Sequence, residues 1–233
     1  MTDKFDTQFS STPPTSPLLQ GKSLPKHIAV EGPIGVGKTT LAKKLAESFN
    51  YSILLEKAEE NPFLERFYGN KPGSALSAQL FFLFQRAQQL EELRQDDLFE
   101  PVRVSDFLIQ KDRLFAKLNL DPDEFALYEK VYDQLTLDAP SPDLVIYLQA
   151  PVNVLQQRIK QRGVSFEQRI SSEYLHSINE IYSEFFLYYD QSPLLIVNAA
   201  EIDFANSSRD YQQLLDYLLE IRSGRHFFNP ALL

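Results

Sequence analysis

The feature that most constrains this chain is the stretch 32–39, which reads GPIGVGKT. It fills every required position of the phosphate-loop pattern G-x-x-x-x-G-K-[ST]. A β-rich apolar run at 27–30 precedes it, and apolar residues at helical spacing follow from 40 to 49. Because glycines let backbone N–H groups converge at a helix N-terminus, this order of strand, turn and helix is typical of phosphate binding. The stretch therefore predicts a site for a nucleoside triphosphate with Mg²⁺.

Two side chains of this loop have predicted roles of their own. Lys38 would bridge the terminal phosphates, and the Thr39 hydroxyl would ligate Mg²⁺. The flanking strand and helix disfavour a chance match on an ordinary tight turn. The residues predicted to contact ATP here are Gly32, Pro33, Ile34, Gly35, Val36, Gly37, Lys38, Thr39 and Thr40. The motif alone leaves the phosphate acceptor open.

Composition narrows the acceptor and the setting. A length of 233 residues with 43% hydrophobic residues suits one α/β domain. The net charge of −9 argues against a general nucleic-acid groove and favours a small acceptor. Since the chain has no cysteine, disulfides, thiolate nucleophiles and cysteine-ligated metals are excluded. The sequence lacks both an apolar run of membrane-spanning length and a signal-peptide pattern, so we expect no membrane segment and a cytoplasmic location.

Alternation of short apolar runs with helical patterns predicts an α/β fold with a parallel sheet of about five strands flanked by helices. The predicted strands are 27–30, 52–55, 102–105, 143–148 and 194–197, and the last helix is predicted over 211–222. Residues 1–25 are rich in Ser, Thr and Pro and are predicted to be a disordered tail. Residues 26–222 would form the domain, and 223–233 a C-terminal tail.

Two carboxylates follow predicted strands. Glu56 follows the run 52–55, interpreted as a buried strand, and Asp106 follows the run 102–105. The carboxyl ends of parallel strands face the crevice where open α/β sheets bind ligands. Glu56 could be a general base for an acceptor hydroxyl there, or a solvated loop charge. Asp106 is predicted to orient Mg²⁺ or its water shell, because a hard cation needs oxygen ligands beyond Thr39.

Two arginines lie four residues apart on the helix predicted to begin at Pro151. Arg158 and Arg162 share one face of that helix, just before Gly163. They can be interpreted as a cationic helix end that meets its own dipole favourably, or as a clamp on a transferring phosphate. The phosphate loop favours the clamp.

Several separate blocks of residues stand at a distinctive spacing along the chain. The blocks are 30–39, Glu56 to Tyr68 with Asn61-Pro62-Phe63-Leu64, Gln79 with Arg86, Asp106 with Asp112, Phe115-Ala116, and Arg158 to Gly163 followed by Glu167-Gln168. From Lys26 to about Phe204, the spacing of these blocks resembles the deoxynucleoside kinase family, and more narrowly its bacterial deoxyadenosine/deoxyguanosine kinase branch. The resemblance implies a P-loop nucleoside-kinase fold, a homodimer, and transfer of the γ-phosphoryl group of ATP to the 5′-hydroxyl of a deoxynucleoside.

The family's residue roles carry over by position. The resemblance implies that Glu56 is the general base on the 5′-hydroxyl and that Tyr68 and Glu167 hold the sugar 3′-hydroxyl. It implies that Gln79, Arg86 and Asp112 bind the base edge. Arg158 and Arg162 match arginines of a lid at about 158–170, which would assist catalysis with Glu56 and Lys38. Asp203 and Phe204 match the loop that contacts the donor base.

The chain departs from the family pattern at two places. After Asp106 the family usually has an arginine, whereas this chain has Phe107, so the cation expected beside the acceptor 5′-oxygen is missing. We hypothesise that Lys57 or Lys111 supplies that charge. In the lid, Val164 follows Gly163 where an arginine is common.

Two other functions are left open by the residues. A thymidylate-type nucleoside monophosphate kinase shares the fold, but it would need an arginine after Asp106. A non-catalytic nucleotide-binding regulatory module is the second alternative, and the retained Glu56 argues against it. Among deoxynucleosides, deoxyadenosine is favoured because the block 61–64 resembles the purine-preferring branch. The resemblance leaves open feedback inhibition by a deoxynucleoside triphosphate.

Overall fold

The computed structural model describes residues 24–69, 71–96, 102–136 and 139–230. Within these ranges one parallel sheet contains six strands, in the order β2-β3-β1-β4-β5-β6. The strands are β1 (His27–Glu31), β2 (Ser52–Leu54), β3 (Arg103–Ser105), β4 (Leu144–Gln149), β5 (Leu194–Asn198) and β6 (Arg225–Phe228). The predicted α/β class and parallel sheet are confirmed. Most of the predicted N-terminal tail, residues 1–23, lies outside the described residues.

Helices follow the strands and cover both faces of the sheet. They are α1 (Lys38–Phe49), α2 (Leu64–Tyr68), α3 (Ser74–Asp96), α4 (Gln110–Asn119), α5 (Pro122–Thr136), α6 (Val152–Arg162), α7 (Ser172–Tyr188) and α8 (Ser208–Leu218). Helix α8 begins earlier than predicted, because the Ser207 hydroxyl caps it by accepting a hydrogen bond from the Asp210 N–H. It also ends earlier than predicted, at Leu218. No helix in the described ranges has both the length and the apolar character that a bilayer crossing requires.

The central strand β4 shows how the sheet is covered on both faces. Leu144, Ile146 and Leu148 point into a large apolar cluster with helices α1, α6 and α8. The alternate residues, Val145 and Tyr147, point into a second cluster formed mainly with α7. A strand buried on both faces reads as a continuous apolar run, which is why β4 could be recognised from sequence.

The two edges of the sheet differ from the predictions. The interpretation of 52–55 as a buried strand is wrong, because β2 pairs only with β3 and Ile53 is 41% exposed. The count of about five strands is also low. Strand β6 lies in the segment predicted as a C-terminal tail, where only Phe228 of the four strand residues is buried. A short edge strand with one buried side chain has a weak sequence pattern.

The topology brings the predicted site residues to the carboxyl ends of the parallel strands. Strand β1 lies between β3 and β4, and the phosphate loop leaves its carboxyl end. Because β2 and β3 run parallel to β1, Glu56 and Asp106 follow the carboxyl ends of their strands on the same side as the phosphate loop. The core therefore positions the carboxylates beside the loop.

Candidate active site

The phosphate loop has the backbone geometry that its sequence predicts. Gly37 precedes α1 with a φ of 109°, and a Cβ atom there would lie 3.1 Å from the Phe204 ring. Only glycine adopts this conformation without strain. The Lys38 ammonium donates to the backbone oxygens of Gly32 at 2.8 Å and Pro33 at 3.1 Å. Burial, followed by the charge of Lys111, lowers the pKa of Lys38 to about 8.

Glu31 is a buried carboxylate that the sequence analysis missed. Its oxygens accept hydrogen bonds from the Gly32 N–H at 2.8 Å, the Leu108 N–H at 2.9 Å and the Tyr182 hydroxyl at 2.8 Å. The side chain thus joins the phosphate loop to the segment after β3 and to α7. A glutamate at the end of an otherwise apolar strand was the available signal, because buried carboxylates need such partners.

Asp106 joins the loop to the end of β2. Its Oδ2 accepts a hydrogen bond from the Thr39 hydroxyl at 2.5 Å, and its Oδ1 accepts one from the Glu56 N–H at 2.7 Å. A hydroxyl and a carboxylate side by side under a phosphate loop are hard oxygen donors of the kind that Mg²⁺ prefers. Their chemistry fits the predicted metal site. No group of three or more His, Cys, Asp and Glu side chains suited to a metal occurs in the described residues.

Glu56 lies between two cations. The Arg86 guanidinium donates to Oε1 at 2.7 Å, and the Lys111 ammonium donates to Oε2 at 2.5 Å. Burial alone would raise the pKa of Glu56, but the charges of Lys111 and Arg86 outweigh it and lower the pKa to about 2. Glu56 is therefore ionised at neutral pH, and the solvated-loop interpretation is wrong.

Arg86 is held from several sides. Besides Glu56, it pairs with Oδ1 of Asp112. Its guanidinium carbon lies 5.1 Å from the ring centroid of Phe82 and 5.3 Å from that of Phe107. Phe107, the residue in place of the expected arginine, is thus buried against Arg86 and forms part of its aromatic support.

Glu56, Arg86 and Asp112 line a cavity that we call the acceptor cavity. The predicted substrate-binding residues Tyr68, Gln79 and Glu167 also line this cavity. Parts of its wall are supplied by α3, α4 and the segment after α6. The residues that line it are Ile34, Gly35, Lys38, Thr39, Glu56, Ala58, Glu59, Leu64, Phe67, Tyr68, Gln79, Phe82, Arg86, Asp106, Lys111, Asp112, Phe115, Arg162, Val164, Phe166, Glu167 and Tyr174. All six predicted substrate-binding residues therefore line a single cavity.

The predicted lid closes one side of the acceptor cavity. Arg162 donates to Oε2 of Glu167 at 2.5 Å, and the Phe166 ring stacks on Tyr68 with an interplanar angle of 4°. Burial, then Tyr174 and Glu167, raise the pKa of Tyr68 well above its usual value. The Tyr68 hydroxyl is therefore neutral and able to donate a hydrogen bond.

A second cavity lies on the other side of the phosphate loop, and we call it the donor cavity. Residues 35–40 form one wall, and Arg158, Arg162 and the segment 202–206 form the other. Arg158 donates to the backbone oxygens of Val36 at 2.9 Å and Ala199 at 2.7 Å. Asp203 and Phe204 line this cavity, as the resemblance implies for a donor-base loop.

The two cavities meet at four residues. Gly35, Lys38, Thr39 and Arg162 line both. Glu56 lines only the acceptor side. A phosphate group held at Lys38 and Thr39 would face the acceptor cavity, which Glu56 also lines. This arrangement suits transfer of a phosphoryl group from one cavity to the other.

The two lysines considered as substitutes for the missing arginine lie in different surroundings. Lys57 is outside the cavity, 58% exposed, with its ammonium 3.5 Å from Oε1 of Glu60. Lys111 lines the cavity and is buried. Of the two lysines, Lys111 is the one that pairs with Glu56, and it does so through the packing of α4.

Comparison with known proteins places the chain in a family. Residues 28–221 match the model of the deoxynucleoside kinase family. The chain is 34% identical to deoxyguanosine kinase of Bacillus subtilis over 83% of this chain and 96% of that one. It is 30% identical to deoxyadenosine kinase of Lactobacillus acidophilus, over 81% of this chain and 92% of the relative.

A solved structure shares the fold. Deoxyadenosine kinase from M. mycoides, with the products dCMP and a flexible dCDP bound, superposes with a TM-score of 0.72 at 28% identity, over 84% of this chain and all of that one. The same enzyme with bound dATP gives a TM-score of 0.70 over 82% of this chain and 98% of that one, again at 28% identity. The similarity thus extends over most of the described domain.

Proposed function

Since the chain belongs to the deoxynucleoside kinase family, we propose that it transfers the γ-phosphoryl group of ATP to the 5′-hydroxyl of a purine deoxynucleoside, with deoxyadenosine preferred. The observation that carries the proposal is the position of Glu56. This ionised carboxylate lines the acceptor cavity beside Lys38 and Thr39, which line both cavities. A thymidylate-type kinase would need a cation for the acceptor's own phosphate after Asp106, where Phe107 is buried instead.

Hydrogen-bonding groups in the acceptor cavity favour adenine. Oδ2 of Asp112 is buried without a hydrogen-bond partner among the described residues. Gln79 is buried in the same cavity and offers an amide acceptor and donor. Adenine presents an amino donor next to a ring-nitrogen acceptor, and a glutamine amide complements that pair. Arg86 directs one terminal nitrogen to Glu56 and the other to Asp112.

Deoxyguanosine is a second candidate acceptor. The Bacillus subtilis relative, at 34% identity, is a deoxyguanosine kinase. The Asp112 carboxylate could also accept from the ring N–H and amino group of guanine. The two purines therefore differ mainly in the hydrogen-bonding groups that they would present to the Gln79 amide.

The proposed reaction is an in-line displacement. The 5′-oxygen bonds to the γ-phosphorus, the bond from that phosphorus to its bridging oxygen breaks, and ADP leaves with the electron pair. Glu56 accepts the hydroxyl proton, while Lys38 and Arg162 hold the phosphate charge. Thr39 and Asp106 would hold Mg²⁺, which supplies positive charge to the donor phosphates. Tyr68 and Glu167 would orient the sugar through its 3′-hydroxyl.

The remaining expectations are also proposals. A homodimer is supported by apolar side chains exposed at the end of α7, Leu187 and Tyr188. Inhibition by a deoxynucleoside triphosphate is supported by the M. mycoides structure with bound dATP. The cytoplasmic location remains a prediction. Light scattering coupled to gel filtration would measure the mass, and dATP titration at fixed deoxyadenosine would measure inhibition.

A coupled ATP-consumption assay tests the proposed function. The acceptors are the four deoxynucleosides, with adenosine and thymidine monophosphate as controls. We expect turnover with deoxyadenosine above that with deoxyguanosine, and little with thymidine. Higher kcat/KM with deoxyguanosine would favour the second candidate. Turnover with the monophosphate would contradict the acceptor assignment, and inactivity with every acceptor would favour a regulatory module.

A further inference from the structure

Lys111 is a buried cation whose position helix electrostatics do not explain. It lies in the first turn of α4, where the helix dipole favours an acidic residue and disfavours a lysine. The next residue, Asp112, has the favoured sign. Lys111 is only 7% exposed, yet it lines the acceptor cavity. Buried lysines are rare unless paired, and the partner of Lys111 is Glu56.

The two cations that pair with Glu56 differ in how many other contacts hold them in place. Arg86 has a second carboxylate partner in Asp112 and lies near the rings of Phe82 and Phe107. Lys111 pairs with Glu56 alone among the described carboxylates, and its ammonium lies 5.6 Å from the centroid of the Phe115 ring. Lys111 is therefore the cation that can leave Glu56 without losing a second ion pair.

An acceptor hydroxyl needs one of the two Glu56 oxygens. Both accept from a cation, Oε1 from Arg86 and Oε2 from Lys111. Because Arg86 is fixed, the hydroxyl would reach Oε2 and displace the ammonium. Lys111 and Lys38 line the same cavity, and the charge of Lys111 contributes to the lowered pKa of Lys38. A displaced ammonium would thus remain next to the γ-phosphate.

We propose that Lys111 is a catalytic residue, whose ammonium moves from Oε2 of Glu56 to an oxygen of the transferring phosphoryl group when the acceptor hydroxyl binds. This inference rests on the proposed function. The 5′-oxygen forms its bond to the γ-phosphorus, its proton goes to Oε2 of Glu56, and the electron pair of the broken bond leaves with ADP. Lys111 neutralises charge on the transferred group and keeps its own protons.

The chain allows a sharp test, because it has no cysteine. A Lys111→Cys variant carries a single thiol, and 2-bromoethylamine converts it into a lysine-like ammonium, whereas iodoacetamide converts it into a neutral amide. We expect the amide form to be inactive and the aminoethyl form to recover much of the parent kcat. Lys57→Cys, treated in the same way, is the matched control and should be active in both forms.

Direct substitution provides the magnitude. We expect Lys111→Met to lower kcat about 10²- to 10³-fold, with Kd values for ADP and deoxyadenosine within about threefold of the parent, because neither ligand carries the transferring phosphoryl group that the ammonium contacts. A kcat within about threefold of the parent would overturn the proposal, and so would a loss of deoxyadenosine binding equal to the loss of kcat. Equal activity of the amide and aminoethyl forms of Lys111→Cys would also overturn the proposal. If Lys111→Met does not fold, the comparison of these two forms is the deciding test.

The same measurements separate this proposal from the function on which it rests. If the parent enzyme phosphorylates deoxyadenosine and the Lys111 variants do so equally well, only the role of Lys111 is wrong. If the parent enzyme phosphorylates no nucleoside, the proposed function itself fails, whatever the variants do.

Discussion

The two cavities that meet at Lys38 are built in different ways. The donor cavity is formed by two continuous segments, 35–40 and 202–206, together with a few side chains of α6. The acceptor cavity is assembled from side chains that are far apart in sequence and joined by buried ion pairs, as in the 55 positions that separate Glu56 from Lys111. The shape of the donor cavity thus depends mainly on the backbone, whereas the acceptor cavity depends mainly on a network of charged side chains.

This difference indicates where specificity lies. Backbone N–H groups at a helix N-terminus bind phosphate charge and do not distinguish one base from another. Buried polar side chains reject ligands that leave them unpaired, which Asp112 and Gln79 are placed to do. We therefore expect changes in the acceptor cavity to affect the choice of nucleoside, and changes in the donor cavity to affect ATP alone.

The largest expected effect comes from Glu56→Gln. General base catalysis contributes about 10²- to 10⁴-fold, so kcat should fall within that range. Because Glu56 does not line the donor cavity, the Kd of ATP, measured by calorimetry, should stay near the parent value. An unchanged kcat would exclude Glu56 as the base. Loss of ATP binding as well would show that the two cavities do not act separately.

Substitution of Asp112 by Asn should have the next largest effect. The change removes an anion from buried Arg86 and places an amide where Oδ2 now lies. Loss of such a buried pair amounts to about 1–3 kcal/mol, so kcat/KM for deoxyadenosine should fall about 10- to 100-fold. The KM of ATP should not change. A similar loss for purines and pyrimidines alike would contradict a role in base selection.

The contrast between the cavities also explains what the sequence could predict. The phosphate loop is contiguous, so its motif, flanking strand and helix were readable without a structure. The ion pairs of Glu56 connect the end of β2 to α3 and α4. The hydrophobic periodicity of a sequence does not predict contacts of this kind. Arg86 and Asp112 were identified only through the spacing shared with a known family. Glu31 was missed because its partners are two backbone N–H groups and the distant Tyr182.

On the donor side, Gly37→Ala tests the backbone geometry. An alanine there would be strained at a φ of 109° and would press against Phe204. Strain of this kind amounts to about 1–3 kcal/mol, and we expect about tenfold weaker ATP binding with an unchanged Kd for deoxyadenosine. Gly224→Ala is the matched control, since Gly224 also has a positive φ, 77°, but has open space around it and lies beside β6. Equal effects of the two variants on ATP binding would contradict the comparison.

The smallest expected effect on activity comes from a residue that sets the pH dependence of the fold. That dependence must be known before pH profiles of the two cavities are compared. Burial, with a smaller effect of Arg103, lowers the pKa of His27 from 6.5 to about 4. Below pH 6.5 the unfolded chain binds a proton that the folded chain does not, so the free energy of unfolding should decrease as the pH falls towards 4 and level off below it. Between pH 7 and pH 5 we expect a decrease of up to about 2 kcal/mol from this residue.

Urea unfolding of the parent and of His27→Gln at the two pH values would measure that contribution. The variant lacks a titrating ring at this position, so its unfolding free energy should decrease less between pH 7 and pH 5. His27 begins β1, at the opposite end of the strand from the phosphate loop, so the substitution should leave kcat at pH 7 unchanged. The same pH dependence in both proteins would show that His27 does not cause the acid sensitivity of the fold.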